Sequence, residues 1–187
     1  MSLRPIITLP DPVLRRKARS VTQFNKHLQE LIDDMVATMR AAPGVGLAAP
    51  QIDVAQRVIV VEYAEPEEPE TALETAPEAE TTVEKPPPKP KLYVMVNPEI
   101  VKSSVEVETG IEGCLSIPGL VGEVERNLTV HLKGFNRRGQ PMKLKATGWL
   151  ARIFQHEVDH INGVLFTDRA SRVWKPAPEE LDLEEKV

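Results

Sequence analysis

The most constraining feature of this sequence is a His-Glu-x-x-His pattern at residues 156–160, set inside an apolar run. The apolar residues have helical spacing, as on a buried helix face: Leu150, Ile153, Phe154, Val158 and Ile161. On such a helix His156 and His160 lie one turn apart, with roughly 5–6 Å between their Cβ atoms, so both imidazoles can reach one ion. Glu157 lies about 100° further round, within reach of a water beside that ion. The pattern predicts a metal-binding helix, although the same spacing also occurs in helices that bind nothing.

The composition argues against several classes of protein. A net charge of −5 argues against direct sequence-specific nucleic-acid binding, which depends on many phosphate contacts. No stretch approaches the roughly 20 apolar residues of a membrane span, and the N-terminus lacks a signal-peptide core. The single cysteine, Cys114, has no partner for an internal disulfide. We therefore expect a cytoplasmic protein without membrane association.

Local patterns outside this helix predict an α+β fold. An amphipathic helix is expected at residues 25–41, ended by Pro43 and Gly44. A loop is expected at residues 110–119. Strands are expected at residues 57–63, 92–96, 100–108, 120–125, 128–135 and 142–147, with a hairpin turn at 136–139. We therefore expect antiparallel or mixed β-sheets packed around a central C-terminal HExxH helix, with an N-terminal amphipathic helix.

Residues 64–91 differ in composition from the rest of the chain. They are rich in proline and glutamate, and such a stretch buries too little apolar surface to offset its ordering entropy. Because strand patterns flank it, we expect an inserted loop. An interaction role for this loop stays open. The chain then divides into one catalytic domain over residues 1–170, which contains the insert, and a C-terminal extension over residues 171–187.

Two histidines need a third protein ligand and an open position to make a catalytic metal site. Some zinc proteases place a third histidine downstream, but Phe166 occupies that position and no histidine follows His160. Three downstream acidic residues stay open as ligands, although no helical pattern holds them: Asp168, Glu179 and Glu180.

Three upstream residues are also possible ligands. His27 lies on the polar side of the first predicted helix, and His131 lies in a strand where it is as readily a surface residue. Cys114 lies in a tight loop after Gly113. A lone cysteine is commonly a small buried hydrophobe, but beside an incomplete two-histidine site a thiolate ligand is the better account. This gives a Cys-His-His set with water at the fourth position.

Three segments together resemble the signature motifs of the peptide deformylase family, in its bacterial type. They are Gly-Val-Gly-Leu-Ala-Ala-Pro-Gln at residues 44–51, Glu-Gly-Cys-Leu-Ser at 112–116 and Gln-His-Glu-Val-Asp-His at 155–160. They occur in the family's order, and the resemblance spans about residues 5 to 170. The sequence departs from the family in the long insert at 64–91 and in a C-terminal extension without a convincing amphipathic helix.

The resemblance implies hydrolysis of the N-formyl group from the N-terminal formyl-methionine of new polypeptides, with release of formate. Cys114, His156 and His160 would hold one divalent metal ion, and Glu157 would be the general acid and base. The Gln51 side chain and the backbone N–H of Leu115 would stabilise the oxyanion. The resemblance implies Fe²⁺ in the cell and allows zinc or nickel in a purified sample.

The resemblance also suggests how the substrate is held. Gly46 would pair with an extended peptide by strand addition. Val45, Trp149 and Ile153 would line an apolar pocket for the methionine side chain, and Arg126 would approach the peptide. The expected partners are N-formylmethionyl peptides, with a transient ribosome contact, and we expect a monomer.

Three other interpretations of the same residues stay open. A metallopeptidase would use the same helix with a downstream third ligand. A thiol hydrolase would use Cys114 as nucleophile and His156 as its base. A binding protein would carry a structural metal site with four closed ligands, but the sequence offers no evident fourth ligand.

Overall fold

The computed structural model describes residues 2–64 and 88–177. Within these residues no helix is long and apolar enough to cross a membrane. The insert predicted at 64–91 and the end of the C-terminal extension lie largely outside the described residues. The helices and strands in chain order are α1 (Lys26–Ala41), β1 (Gly46–Ala48), β2 (Val58–Tyr63), β3 (Lys91–Ser103), β4 (Val107–Gly113), β5 (Val121–Asn127), β6 (Thr129–Phe135), β7 (Pro141–Thr147), α2 (Gly148–Ile161) and β8 (Arg172–Trp174).

The strands form two antiparallel sheets, and the predicted α+β class is confirmed. The larger sheet has the order β1-β2-β3-β6-β7, and the smaller sheet has the order β4-β5-β8. Among the described residues, strand β1 is an edge of the larger sheet and pairs with β2 alone, Gly46 opposite Val61. Helix α2 contacts strands of both sheets. It therefore lies where groups from the two sheets can meet.

Strand β2 explains how the two helices share the larger sheet. Its first four residues, Val58, Ile59, Val60 and Val61, are all fully buried. Val58 and Val60 belong to the core that α1 covers, whereas Ile59 and Val61 belong to the core that α2 covers. A strand covered on both faces is expected to be a continuous apolar run, as observed here. The start of α1 is fixed by Asn25, whose side chain accepts a hydrogen bond of 3.2 Å from the Leu28 N–H.

The structure corrects the predicted boundaries around β4. Residues 100–108 were predicted as one strand and 110–119 as a loop, but β3 ends at Ser103 and β4 continues to Gly113. Gly110 and Gly113 belong to β4, and the Arg152 side chain packs against the backbone of Gly110, whereas Gly119 lies in a turn as predicted. The predicted hairpin is confirmed, with Gly139 at φ +80° between β6 and β7. Strand β8 comes from the segment assigned to the C-terminal extension and pairs with β5.

Candidate active site

Three potential metal ligands converge between β4 and α2. Cys114 directly follows β4, while His156 and His160 lie one turn apart on α2. The Cys114 Sγ lies 3.2 Å from His160 Nε2, and the same Nε2 lies 3.2 Å from His156 Nε2. All three ligand atoms lie within 4.8 Å of one another. The structure thus brings together one sulfur and two nitrogen donors from distant parts of the sequence.

The separations of these donors fit a metal ion. Usual zinc–nitrogen and zinc–sulfur bond lengths at tetrahedral angles place two nitrogens about 3.3 Å apart and a sulfur about 3.6 Å from a nitrogen. His156 Nδ1 is engaged by Glu112 Oε2 at 2.9 Å, so its Nε2 is left to face the other two ligands. Among residues 2–64 and 88–177 the ligand group has three members, which leaves a position for water or substrate. The residues present therefore fit a catalytic rather than a structural metal ion.

The alternative ligands lie elsewhere in the structure. The Asp168 carboxylate pairs with Arg15 and accepts from the Leu165 N–H. The His27 side chain is exposed on α1, and His131 lies in β6 opposite Lys145. Glu179 and Glu180 lie outside the described residues.

Glu157 presents a buried carboxyl group beside the ligands. It is 4% exposed, and its Oε2 atom has no hydrogen-bond partner among the described residues. Burial raises the pKa of Glu157 to about 7, and the negative charge of Glu112 acts in the same direction. A pKa near neutrality suits a group that both accepts and donates protons. Gly46 makes room for this carboxyl, because a Cβ atom at that position would lie 2.4 Å from Glu157 Oε1.

Gln51 directs its amide nitrogen toward the same place. Its Oε1 accepts a hydrogen bond of 2.8 Å from the Ala48 N–H, which fixes which end of the amide faces the ligands. The Nε2 atom then lies 3.6 Å from Cys114 Sγ and 3.2 Å from Ser116 Oγ. Leu115 lies in the turn that begins after Cys114, and its side chain contacts Gly44. The first two sequence motifs therefore meet at the metal-ligand group.

Glu112 was quoted in the second motif without a role, and the structure gives it several contacts. Its Oε1 accepts from Arg126 Nε at 2.8 Å and from Arg152 Nη1 at 3.0 Å. Its Oε2 accepts from Arg126 Nη2 at 2.9 Å and lies beside His156 Nδ1. Burial by itself raises the pKa of Glu112, but the hydrogen bonds from Arg126 and His156 outweigh it and lower the pKa to about 2. Glu112 is therefore a carboxylate that orients His156.

The two histidines have pKa values shifted in opposite directions. Burial lowers the pKa of His156, but its contacts with Cys114 and Glu112 outweigh this and raise the pKa well above 6.5. Burial, together with the charge of His156, lowers the pKa of His160 well below 6.5.

The position of Arg126 differs from the one predicted from the sequence. It was expected to approach the peptide, but it is only 5% exposed. Its guanidinium pairs with Glu112 on one side and with Asp159 Oδ2 at 2.5 Å on the other. A buried guanidinium with its donors committed in this way supports neighbouring groups rather than a substrate. Sequence patterns could not identify these partners, because Glu112 and Asp159 lie 14 and 33 positions away.

The remaining substrate residues are divided between surface and core. Val45 and Trp149 are 46% and 41% exposed. Ile153 is buried in the core between α2 and the larger sheet. Trp149 has the Arg152 guanidinium over its ring, 5.7 Å from the centroid. Val45 and Trp149 are thus accessible to a ligand.

Comparison with known proteins identifies the family. The model of the polypeptide deformylase family matches residues 3–175. Peptide deformylase of Symbiobacterium thermophilum is 42% identical over all of this chain and 75% of that protein, and the one from Pelotomaculum thermopropionicum is 41% identical over 96% of this chain and 99% of that protein. The crystal structure of peptide deformylase from Thermotoga maritima has a TM-score of 0.75 at 35% identity and covers 92% of this chain and 100% of its own. A Met-Ala-Ser-bound class I type b peptide deformylase from Acinetobacter baumannii has a TM-score of 0.75 at 37% identity, and the match covers 90% of this chain and 98% of that one. The resemblance of the three motifs is therefore confirmed, and the chain belongs to the polypeptide deformylase family.

Proposed function

We propose that this protein removes the N-formyl group from the N-terminal methionine of newly made polypeptides and releases formate. The observation that carries the proposal is the convergence of Cys114, His156 and His160 beside the buried Glu157 carboxyl. The family and the names of its relatives agree with it. The rival metallopeptidase is less well supported, because the third donor of the site is an upstream cysteine and not a downstream residue.

We propose that the three ligands hold one divalent metal ion, Fe²⁺ in the cell and zinc or nickel in a purified sample. When bound, such an ion lowers the pKa of a water molecule and polarises a carbonyl oxygen. A set of one thiolate and two imidazoles suits zinc and iron among divalent ions. Glu112 supports the site by holding His156 through Nδ1.

The residues around the three metal ligands have two roles in the proposed reaction, proton transfer and stabilisation of the oxyanion. Glu157 accepts the proton of the attacking water and delivers it to the leaving amine, for which its pKa of about 7 is suited. The Gln51 Nε2 donates to the oxyanion that forms on the formyl oxygen, with the backbone N–H of Leu115 as the second donor. The Ala48 contact to Gln51 Oε1 keeps the amide in the donating orientation.

The peptide is proposed to bind along the edge strand β1. Only one side of β1 pairs with β2, so the backbone of Gly46 is available to an extended peptide by strand addition. Val45 and Trp149 would form accessible walls for the methionine side chain, with Ile153 as the floor. Gly46 lies close to Glu157, so little room is left around the acyl carbonyl of a bound substrate. This favours a formyl group over the larger acetyl group.

The proposed substrate has consequences for where the protein acts. New polypeptides emerge from ribosomes, so we propose a cytoplasmic location and a transient ribosome contact. We also propose that the protein works as a monomer, because all the proposed catalytic groups come from one chain.

The proposal is tested by anaerobic purification with metal analysis, followed by formate release from formyl-Met peptides and acetyl-Met controls. We expect release from the formyl peptides only, and its loss after chelation. Equal hydrolysis of both substrates, measured as formate from one and acetate from the other, or none of either, would contradict the proposal. Activity that survives chelation but not thiol alkylation would indicate the thiol hydrolase. A Cys114→Ser variant with unchanged metal content, or cleavage of internal peptide bonds, would favour the metallopeptidase.

A further inference from the structure

Arg152 is a buried cation on the metal-binding helix that the proposed reaction does not use. It lies one turn before His156 on α2 and is 4% exposed. Its Nη1 donates to the Val124 carbonyl at 2.8 Å, and its Nη2 donates to the Glu108 carbonyl at 2.7 Å. A buried arginine is costly unless its donors are paired, and these contacts pair two of them with strands of the smaller sheet.

Arg152 also reaches the carboxylate that orients His156. Its Nη1 lies 3.0 Å from Glu112 Oε1, the same oxygen that accepts from Arg126 Nε. The two arginines differ in where they come from. Arg126 lies on β5, which pairs with β4, so its bond to Glu112 stays within the smaller sheet. Arg152 comes from α2, so its bond joins the helix that carries the histidines to the strand that carries Glu112.

The flat face of the guanidinium is fixed as well. A Cβ atom at Gly110 would lie 2.8 Å from the Arg152 Cζ, so the guanidinium packs against the bare backbone of β4. The Trp149 ring lies 5.7 Å from the Cζ atom. Such close packing fixes the Arg152 side chain, which joins α2 to β4 alongside the Arg126–Asp159 pair that joins α2 to β5.

We propose that Arg152 is a positioning residue for the metal site. It anchors α2 to β4 so that His156 and His160 on the helix stay in register with Cys114 at the end of the strand. The inference rests on the proposed function in so far as that function places a metal ion on these three ligands. An arginine that donates from both terminal nitrogens is suited to this role, because its planar donors fix an orientation that the point charge of a lysine does not.

The test compares metal affinity of folded variants, measured by competition with a chelator of known affinity. For Arg152→Met we expect about tenfold weaker affinity, the lower end of the range for supporting groups around metal ligands. Arg152→Lys should remain weakened although it keeps the charge. For zinc-loaded protein at saturating metal, kcat should also fall, because the two histidines are no longer held in register with Cys114.

Arg57→Met is the matched control. Arg57 also joins the end of α2 to the larger sheet. Its Nη1 donates to Oδ1 of Asn162, the residue directly after the helix, at 2.8 Å, and its Nη2 donates to the Pro98 carbonyl of β3 at 3.0 Å. It makes no contact with Glu112, so its loss should lower the thermal midpoint but leave the metal affinity within about twofold of the unchanged protein. An equal loss of affinity in both variants would assign the effect to general stability and overturn the proposal, as would unchanged affinity in Arg152→Met.

Gly110→Ala provides a second route if Arg152→Met does not fold. It keeps the arginine but displaces the guanidinium by its added methyl group, and we expect weaker metal affinity again. Unchanged affinity in Gly110→Ala would overturn the proposal. Failure of the proposed function can be told apart from failure of this inference. If the protein binds metal but releases no formate, Arg152→Met should still bind metal more weakly than Arg57→Met.

Discussion

Gly46→Ala adds one methyl group at the point where β1 meets the proposed catalytic carboxyl. The new Cβ atom would lie 2.4 Å from Glu157 Oε1, 2.9 Å from Cδ and 3.0 Å from Cγ. Ordinary van der Waals contact begins at 3.4 Å, so the carboxylate oxygen must retreat by 3.4 − 2.4 = 1.0 Å. The atoms that must move are at the end of a flexible side chain, so the fold can accommodate the change.

The displacement should affect catalysis far more than stability. A misplacement of 1 Å in a catalytic group costs on the order of 10²-fold in rate. We therefore expect kcat/KM for formate release from a formyl-Met peptide to fall about 100-fold, which corresponds to about 2.7 kcal/mol. Metal content should be unchanged, because Glu157 is not one of the three ligands. The thermal midpoint should shift by only a few degrees.

Gly113→Ala is the control for an added methyl group near the site. A Cβ atom at Gly113 would have its nearest contact at 3.9 Å, from Val121 Cγ1, so no group has to move. We expect nearly normal turnover from this variant. Wild-type turnover in Gly46→Ala would refute the assignment of Glu157 as the acid and base held against Gly46. A similar loss in Gly113→Ala would show that the motif tolerates no added methyl group and that the distance argument is wrong.

Further predictions concern the acid–base group and two structural contacts. Glu157→Gln should keep its metal, measured by elemental analysis, but lose about 10² to 10⁴-fold in turnover. Gly163→Ala should cost at least about 2 kcal/mol in urea unfolding, because Gly163 has φ +76° and a Cβ atom there would lie 2.6 Å from the Arg15 carbonyl oxygen. The hydrogen bond from the Ser2 backbone N–H lowers the pKa of Asp34 below 3.8, so its stabilisation is present at neutral pH and lost as pH falls through the lowered pKa. Asp34→Asn should therefore be less stable than the unchanged protein at pH 7, with the difference in urea midpoint shrinking below about pH 4, and a constant difference would contradict this.

The elements that could be predicted from the sequence have signals within a few residues. The alternation and turn residues of the β6–β7 hairpin are local, and the structure contains that hairpin. Strand β4 was missed because Gly110 and Gly113 are typical of loops, whereas in the structure the missing side chain at Gly110 makes space for an arginine 42 positions later. Local propensity contains no information about such a neighbour.

The supporting network of the site was missed for the same reason. Glu112 lies two positions before Cys114, but its partners Arg126, Arg152 and His156 are 14, 40 and 44 positions away. A sequence shows that a charged residue interrupts an apolar helix. It does not show which partner offsets the desolvation cost of burying that charge. Arg152 was such an interruption on α2 and was passed over.

The polar groups of α2 nevertheless separate into two kinds once their partners are known. Arg152 and Asp159 are buried and paired with opposite charges, and the Gln155 side chain bonds the backbone of Asn127. Among residues 2–64 and 88–177, the buried side-chain nitrogen and oxygen atoms without a partner are Glu157 Oε2 and His160 Nδ1. Both belong to the proposed catalytic group on the same helix. Because burying an unpaired polar atom costs about 1–3 kcal/mol, a fold keeps such atoms where a ligand or reaction will use them. The position of Glu157 Oε2 is therefore an argument for the active site that does not depend on the motif spacing, whereas the His160 atom that faces the other ligands is Nε2 and not Nδ1.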